Sequence, residues 1–63
     1  MTKERLYEVW KNCKESCGCR FCPEYYKPDC DIIYYAMGER LPCEHSVRSL
    51  EVQLIQRGVI NDN

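Results

Sequence analysis

Six cysteines and one histidine are the residues of this 63-residue chain whose chemistry goes beyond packing. Three of the thiols fall inside CGCRFC, residues 17–22, with Cys13 upstream and Cys30, Cys43 and His45 downstream. Thiols at this density hold a metal, pair as disulfides or carry out redox chemistry. Zinc takes four tetrahedral N or S ligands, usually delivered as two close pairs from separate segments. Cys19-x-x-Cys22, followed by Pro23, has the spacing of a zinc knuckle, in which backbone N–H groups point at the sulfurs. Cys43-x-His45 is weak by itself and gains weight as a second pair, 20 residues further on. The leading expectation is one zinc on Cys19, Cys22, Cys43 and His45, with Cys30 able to replace a member of the second pair. Seven candidate ligands also admit two ions. In that arrangement Cys13 and Cys17 hold one ion from a helix face, and a thiolate at Cys17 or Cys19 is shared.

Each competing chemistry makes a different demand. Three disulfides need an oxidising compartment, and six cysteines allow fifteen connectivities between which sequence does not choose. An iron–sulfur cluster fits poorly, because ferredoxin-type runs keep at least two residues between ligands and Cys17-x-Cys19 keeps one. A thioredoxin-type site places its CxxC at a helix N-terminus, which lowers the thiol pKa. Here the CxxC follows a helix C-terminus, where the dipole opposes thiolate formation. No HExxH or HxE pattern accompanies the ligands, as a catalytic zinc would require. An enzyme is not expected. There are plainer readings too. Cys13 on an apolar helix face is a small buried hydrophobe, and an isolated histidine is ordinarily a surface or hydrogen-bonded residue.

Size makes a staple necessary. Ordering a chain of this length costs on the order of 95 kcal/mol at ~1.5 kcal/mol per residue, and short chains bury a low fraction of their surface. The apolar stock is one Trp, one Phe and five Tyr with scattered Leu, Ile and Val. The opening MTKERLYEVWKNC has charges at positions 3, 4, 5 and 8 and no apolar h-region, so it does not read as a signal peptide. The expectation is a cytoplasmic protein whose thiols stay reduced. Nine basic residues face ten acidic ones. Residues 1–20 sum to +2, residues 21–45 to −3 and residues 46–63 to zero. No basic stripe supplies the footprint of a nucleic-acid binder, and no stretch approaches a membrane span.

The elements that must position the ligands follow from periodicity and punctuation. Thr2 caps a helix over about 3–17, with Leu6, Val9, Trp10, Cys13 and Cys17 on one face. Residues 18–31 read as a Cys-rich loop broken by Pro23 and Pro28. Residues 30–41 are either a short helix capped by Asp29 and running to Met37 or a hairpin with its tip at Met37-Gly38-Glu39. The helix is preferred, because both of its termini then carry suitable residues. Ser46 caps a last helix over about 47–57, with Val47, Leu50 and Leu54 inward and Ile55 at the margin of that face, Gly58 at its stop and Ile60 beyond. The whole is expected to be a single small metal-stapled, α-rich domain, 1–63, with N- and C-terminal helices packed around a Cys-rich zinc-binding centre.

Tyrosine is the other excess. Tyr25-Tyr26 and Tyr34-Tyr35 are adjacent pairs, and neighbouring side chains seldom share one environment. Exposed tyrosines supply contact area at interfaces, although a thin core also uses them as a roof. In size and cysteine usage the chain is similar to the small metal-stapled regulators with which bacteria and their phages grip the transcription machinery. That similarity rests on the Cys19-x-x-Cys22 motif alone and implies a larger protein partner. Docking of a partner or self-association through the last helix is a further expectation, with Val52 and Ile55 off its main stripe. The rival from another class is a disulfide-stapled secreted peptide or effector, and a weaker one is a small redox or iron–sulfur protein.

Overall fold

The computed structural model describes residues 1–25 and 27–61. Its elements are α1 (Lys3–Glu15), α2 (Pro28–Ala36) and α3 (Val47–Gln56), with single-turn 3₁₀ helices at Cys19–Phe21 and Pro42–Glu44 in the connections. This is a small, mostly helical, cysteine-rich architecture, as expected. Among the described residues, no helix is long and apolar enough to cross a membrane.

Helix α1 begins as its sequence implies, with the Arg5 N–H donating to Thr2 Oγ1 at 3.1 Å. It ends at Glu15, short of the expected residue 17. Ser16 is the cause. Its hydroxyl donates to the Asn12 carbonyl at 2.6 Å, taking the acceptor that its own amide would use in a continuing helix. The Ser16 N–H turns to Cys13 instead, at 3.4 Å, and the backbone becomes extended. The buried face therefore contains Leu6, Val9 and Cys13, while Cys17 lies beyond the helix and is exposed.

Residues 30–41 form a helix and a stop, not a hairpin. The helix starts at Pro28, earlier than the expected cap at Asp29. A proline in the first turn loses nothing, since the amides there have no intrahelical acceptor. Asp29 is thus inside the first turn, and its carboxylate accepts from Arg5 Nε at 2.7 Å. The strand preference of Ile32-Ile33-Tyr34-Tyr35 is overridden by packing. Ile33 and Met37, one helical turn apart, are both buried in the core. Gly38 closes the helix at φ +71°, and the Glu39 N–H reaches back to the Tyr34 carbonyl at 2.8 Å. The expected loop over 18–31 is shortened accordingly, to a 3₁₀ turn and the approach to α2.

Helix α3 matches its expected bounds within one residue. Ser46 Oγ accepts the Ser49 N–H at 3.2 Å. The Gly58 N–H bonds to Ile55 and the Val59 N–H to Leu54, at 3.0 and 2.9 Å. This is a Schellman stop, made possible by φ +74° at Gly58. It returns Ile60 to the core, where it joins Leu6, Val9, Ile33, Met37, Leu50 and Leu54. Val47 and Ile55 are half-buried at its edge. Lys3 and Glu51 pair across α1 and α3 at 3.5 Å. The Trp10 indole N–H donates to the His45 carbonyl at 2.8 Å, tying α1 to the segment after the second 3₁₀ turn.

Candidate metal centre

The thiols come from five different places in the chain, and the fold sets three of them, Cys19, Cys22 and Cys30, along one cavity. Cys13 lies on the buried face of α1. Cys43 is inside the second 3₁₀ turn, which packs on α1. Among its neighbours, Cys43 has the largest influence on the Cys13 thiol. Cys22 ends the first 3₁₀ turn and is buried. It stands near enough to act electrostatically on both Cys13 and Cys30. Cys19 acts on Cys30 in the same way. Cys19, Cys22 and Cys30 line one cavity with Asp31, Tyr25, Tyr34 and Leu41.

The local chain explains why the CxxC turn is shaped for this. The Cys22 N–H closes on the Cys19 carbonyl at 3.1 Å, and Gly18 enters the turn at φ +147°, a conformation that side-chain-bearing residues rarely adopt. The Glu24 N–H then donates to Cys22 Sγ at 3.4 Å. An amide aimed at a sulfur is the feature expected of a zinc knuckle.

Behind this turn lies a charge network that sequence inspection did not single out. Glu24 is buried, at 1% exposure. Its carboxylate receives the Arg5 guanidinium, with Nη1 to Oε2 at 3.0 Å and Nη2 to Oε1, and the Asn12 amide at 2.9 Å. Arg5 also contacts Asp29 and Glu8. The Arg5 hydrogen bonds hold the Glu24 carboxyl below its ordinary range, against the opposing effect of burial. One guanidinium thus ties α1 to the residue after the knuckle and to the first turn of α2. The separations of 19 and 24 residues have no sequence signature.

The surroundings of two thiols, Cys13 and Cys30, favour the protonated form. Burial, reinforced by the Cys43 thiol, pushes Cys13 up to about 12. Burial and the neighbouring Cys22 and Cys19 push Cys30 up to about 11. Both shifts run opposite to what a nucleophilic cysteine needs. All six cysteines are free thiols.

The expected ligand set is brought together only in part. Cys19 and Cys22 share a cavity with Cys30, the expected alternative ligand, whereas Cys43 acts on Cys13. His45 follows Cys43 with its carbonyl bound by Trp10, and its Nε2 is buried with no hydrogen-bond partner among the described residues. Cys17 stands apart, exposed between α1 and the knuckle. Among the described residues, no group of three or more Cys, His, Asp or Glu side chains is placed so that it could hold a metal ion. Thiolates around one zinc lie about 3.8 Å apart, given Zn–S bonds of about 2.3 Å.

Of the four tyrosines expected at a partner surface, Tyr35 and Tyr25 are exposed and Tyr34 is half-buried. Tyr34 and Tyr35 meet edge to face at 5.2 Å. Tyr26 lies outside the described residues. Phe21, in the CGCRFC turn, was not among the expected surface residues and is the most exposed large apolar side chain, at 73%. Its position between two turn cysteines was the available signal, since its neighbours are committed to the turn. No protein-family model, curated protein or solved structure matches this chain.

Proposed function

We propose that this protein is a non-catalytic zinc-stapled module of a reducing, cytoplasmic environment, and that it binds a larger protein partner in a regulatory role. The observation that carries the reading is that Cys19 and Cys22 of the knuckle and Cys30 of α2 line one cavity, in a domain whose apolar cluster contains seven buried residues among those described. Buried thiols with no staple to form would be replaceable by ordinary hydrophobes. The amide directed at Cys22 Sγ is a donor that a metal-bound thiolate would accept, and the orphaned His45 Nε2 is a ligand atom that a metal could take. The partner surface is proposed on Phe21, Tyr25, Ile32 and Tyr35, large apolar side chains left exposed in the Cys-rich half.

The test is metal per chain by elemental analysis on protein purified under reducing conditions without chelator. Thiols are counted and far-UV circular dichroism is recorded before and after chelation. Bound zinc, and helical signal lost with it, is the expected result. A reduced chain that is folded and metal-free would sink the staple. A chain without free thiols would favour the disulfide rival. For the surface, a photo-crosslinking residue at position 21 or 35 should trap one discrete partner in extract of the host cell, and no trapped species would count against the interaction role.

A further inference from the structure

We propose that Cys19 and Cys22 are a redox switch, closing reversibly into a disulfide when a low-molecular-weight disulfide accumulates around the protein. This goes beyond the zinc reading and stands without it. The turn itself sets the separation of the pair. The Cys22 N–H donates to the Cys19 carbonyl at 3.1 Å, the bond that closes a four-residue turn. One residue earlier, the Phe21 N–H closes on the Gly18 carbonyl at 3.0 Å. Such a turn holds its first and last Cα atoms within about 7 Å, and disulfides span Cα separations of about 4.4–6.8 Å. A bridge here needs no movement of one helix against another. Both side chains also line the same cavity of about 270 Å³, which leaves the sulfurs room to approach.

The two thiols are unequal, and this sets the order of events. Cys19 is exposed and Cys22 is buried. The Cys22 sulfur is also anchored, since it accepts the Glu24 N–H at 3.4 Å and the Glu24 side chain is clamped by Arg5 and Asn12. Cys19, as the thiolate, attacks the external disulfide, forms a mixed disulfide and expels one thiol. Cys22 then attacks Cys19 Sγ and expels the second. The two thiol protons of the pair end on the expelled thiols, and its two electrons reduce the external disulfide. The other cysteines are less well placed. Cys13 is buried on α1 and Cys43 is half-buried in the second 3₁₀ turn, and neither lines the cavity. Cys30 lines it from α2, half-buried and outside the turn. Cys17 is exposed but precedes the turn, beyond Gly18. The bridge closes a ring through Arg20 and Phe21, so the switch lies within the proposed partner surface. It also excludes zinc from the knuckle, because a disulfide sulfur is no longer a thiolate ligand.

The test equilibrates the full, reduced chain in mixtures of oxidised and reduced glutathione and traps the remaining thiols by alkylation. Cys17→Ser is treated alongside, because it removes the neighbouring exposed thiol. Peptide mapping of both should place one bridge at Cys19–Cys22, and a dithiol reductant should reverse it. Cys22→Ser should stop at one glutathione on Cys19, and Cys30→Ser should bridge like the unmodified chain. In urea the bridged fraction at a given glutathione ratio should fall, since the turn no longer holds the pair. A bridge from Cys22 to Cys17 or Cys30, or no bridge even in oxidised glutathione alone, would overturn the proposal. A bridged fraction unchanged by urea would overturn the role of the turn. Zinc content, measured separately by elemental analysis, keeps the two readings apart. A chain that bridges and never binds zinc loses the staple and keeps the switch, and a chain that binds zinc and never bridges does the reverse.

Discussion

Glu24 has an unusual position for a carboxylate, fully buried in a domain this small. Burying a charge is costly unless it is paired, and removing one partner leaves the other stranded. Arg5 and Asn12 meet both Glu24 oxygens, and this ties α1 to the knuckle. Arg5→Met should therefore cost about 3 kcal/mol in chemical denaturation. That is more than a surface ion pair contributes. Lys at position 5 should rescue only part of it, because an ammonium cannot reproduce the forked contact. The pH dependence has a definite sign. Because the Arg5 hydrogen bonds lower the folded-state pKa of Glu24 from its ordinary 4.5, the carboxylate stabilises the fold above that pH and progressively less as pH falls below it. The stability difference between the unmodified chain and Glu24→Gln should accordingly be largest at neutral pH and close in acid. A difference that stayed constant down to acid would show that Glu24 acts through shape alone.

At the scale of the element, each helix has a clear chemical reason to stop. Ser16 ends α1 by competing for a carbonyl, and Gly38 and Gly58 end α2 and α3 in left-handed conformations. A Cβ at Gly58 would meet nothing within 4 Å, so any penalty there is backbone strain alone. Gly58→Ala should cost about 1 kcal/mol, which in a domain of this size lowers Tm by roughly 4–8 °C. The opposite experiment is available in the same molecule. Glu39 follows Gly38 at φ +63° and is not glycine. Glu39→Gly should relieve strain and leave Tm equal or slightly higher. Opposite signs for the two substitutions, read by thermal denaturation, check the account. Ser16→Ala should free the Asn12 carbonyl and lengthen α1 towards Cys17, visible as added helical circular dichroism.

For the whole molecule, the question is whether seven buried apolar residues suffice. Leu54 is fully buried where α3 meets the core, and truncating such a side chain to alanine costs about 2–5 kcal/mol. A domain of this size has little more than that in total. Metal bound only to the folded state adds to its stability by mass action. Leu54→Ala should thus be unfolded when metal-free and regain its helical signal on titration with zinc. Recovery that needs no zinc would mean that the core is sufficient and the thiols have another purpose.

Much of this was legible in the chain itself, and for local reasons. Thr2, Ser46, Gly38 and Gly58 act on backbone groups within a few residues of themselves, so the start of α1, the stop of α2 and both ends of α3 follow from short stretches of sequence. The face of α3 was legible because periodicity is also local. What required the folded molecule was everything between segments. Ile32-Ile33-Tyr34-Tyr35 could be read as strand until the core claimed Ile33 and Met37. Cys17 looked like a member of the buried face until Ser16 closed the helix before it. The Arg5–Glu24–Asp29 network and the influence of Cys43 on Cys13 join residues 19 to 30 positions apart, and nothing in the spacing of a single chain encodes such relations. Which thiols become neighbours is decided by how α1, α2 and the second 3₁₀ turn pack, because packing sets distances that composition and periodicity leave open.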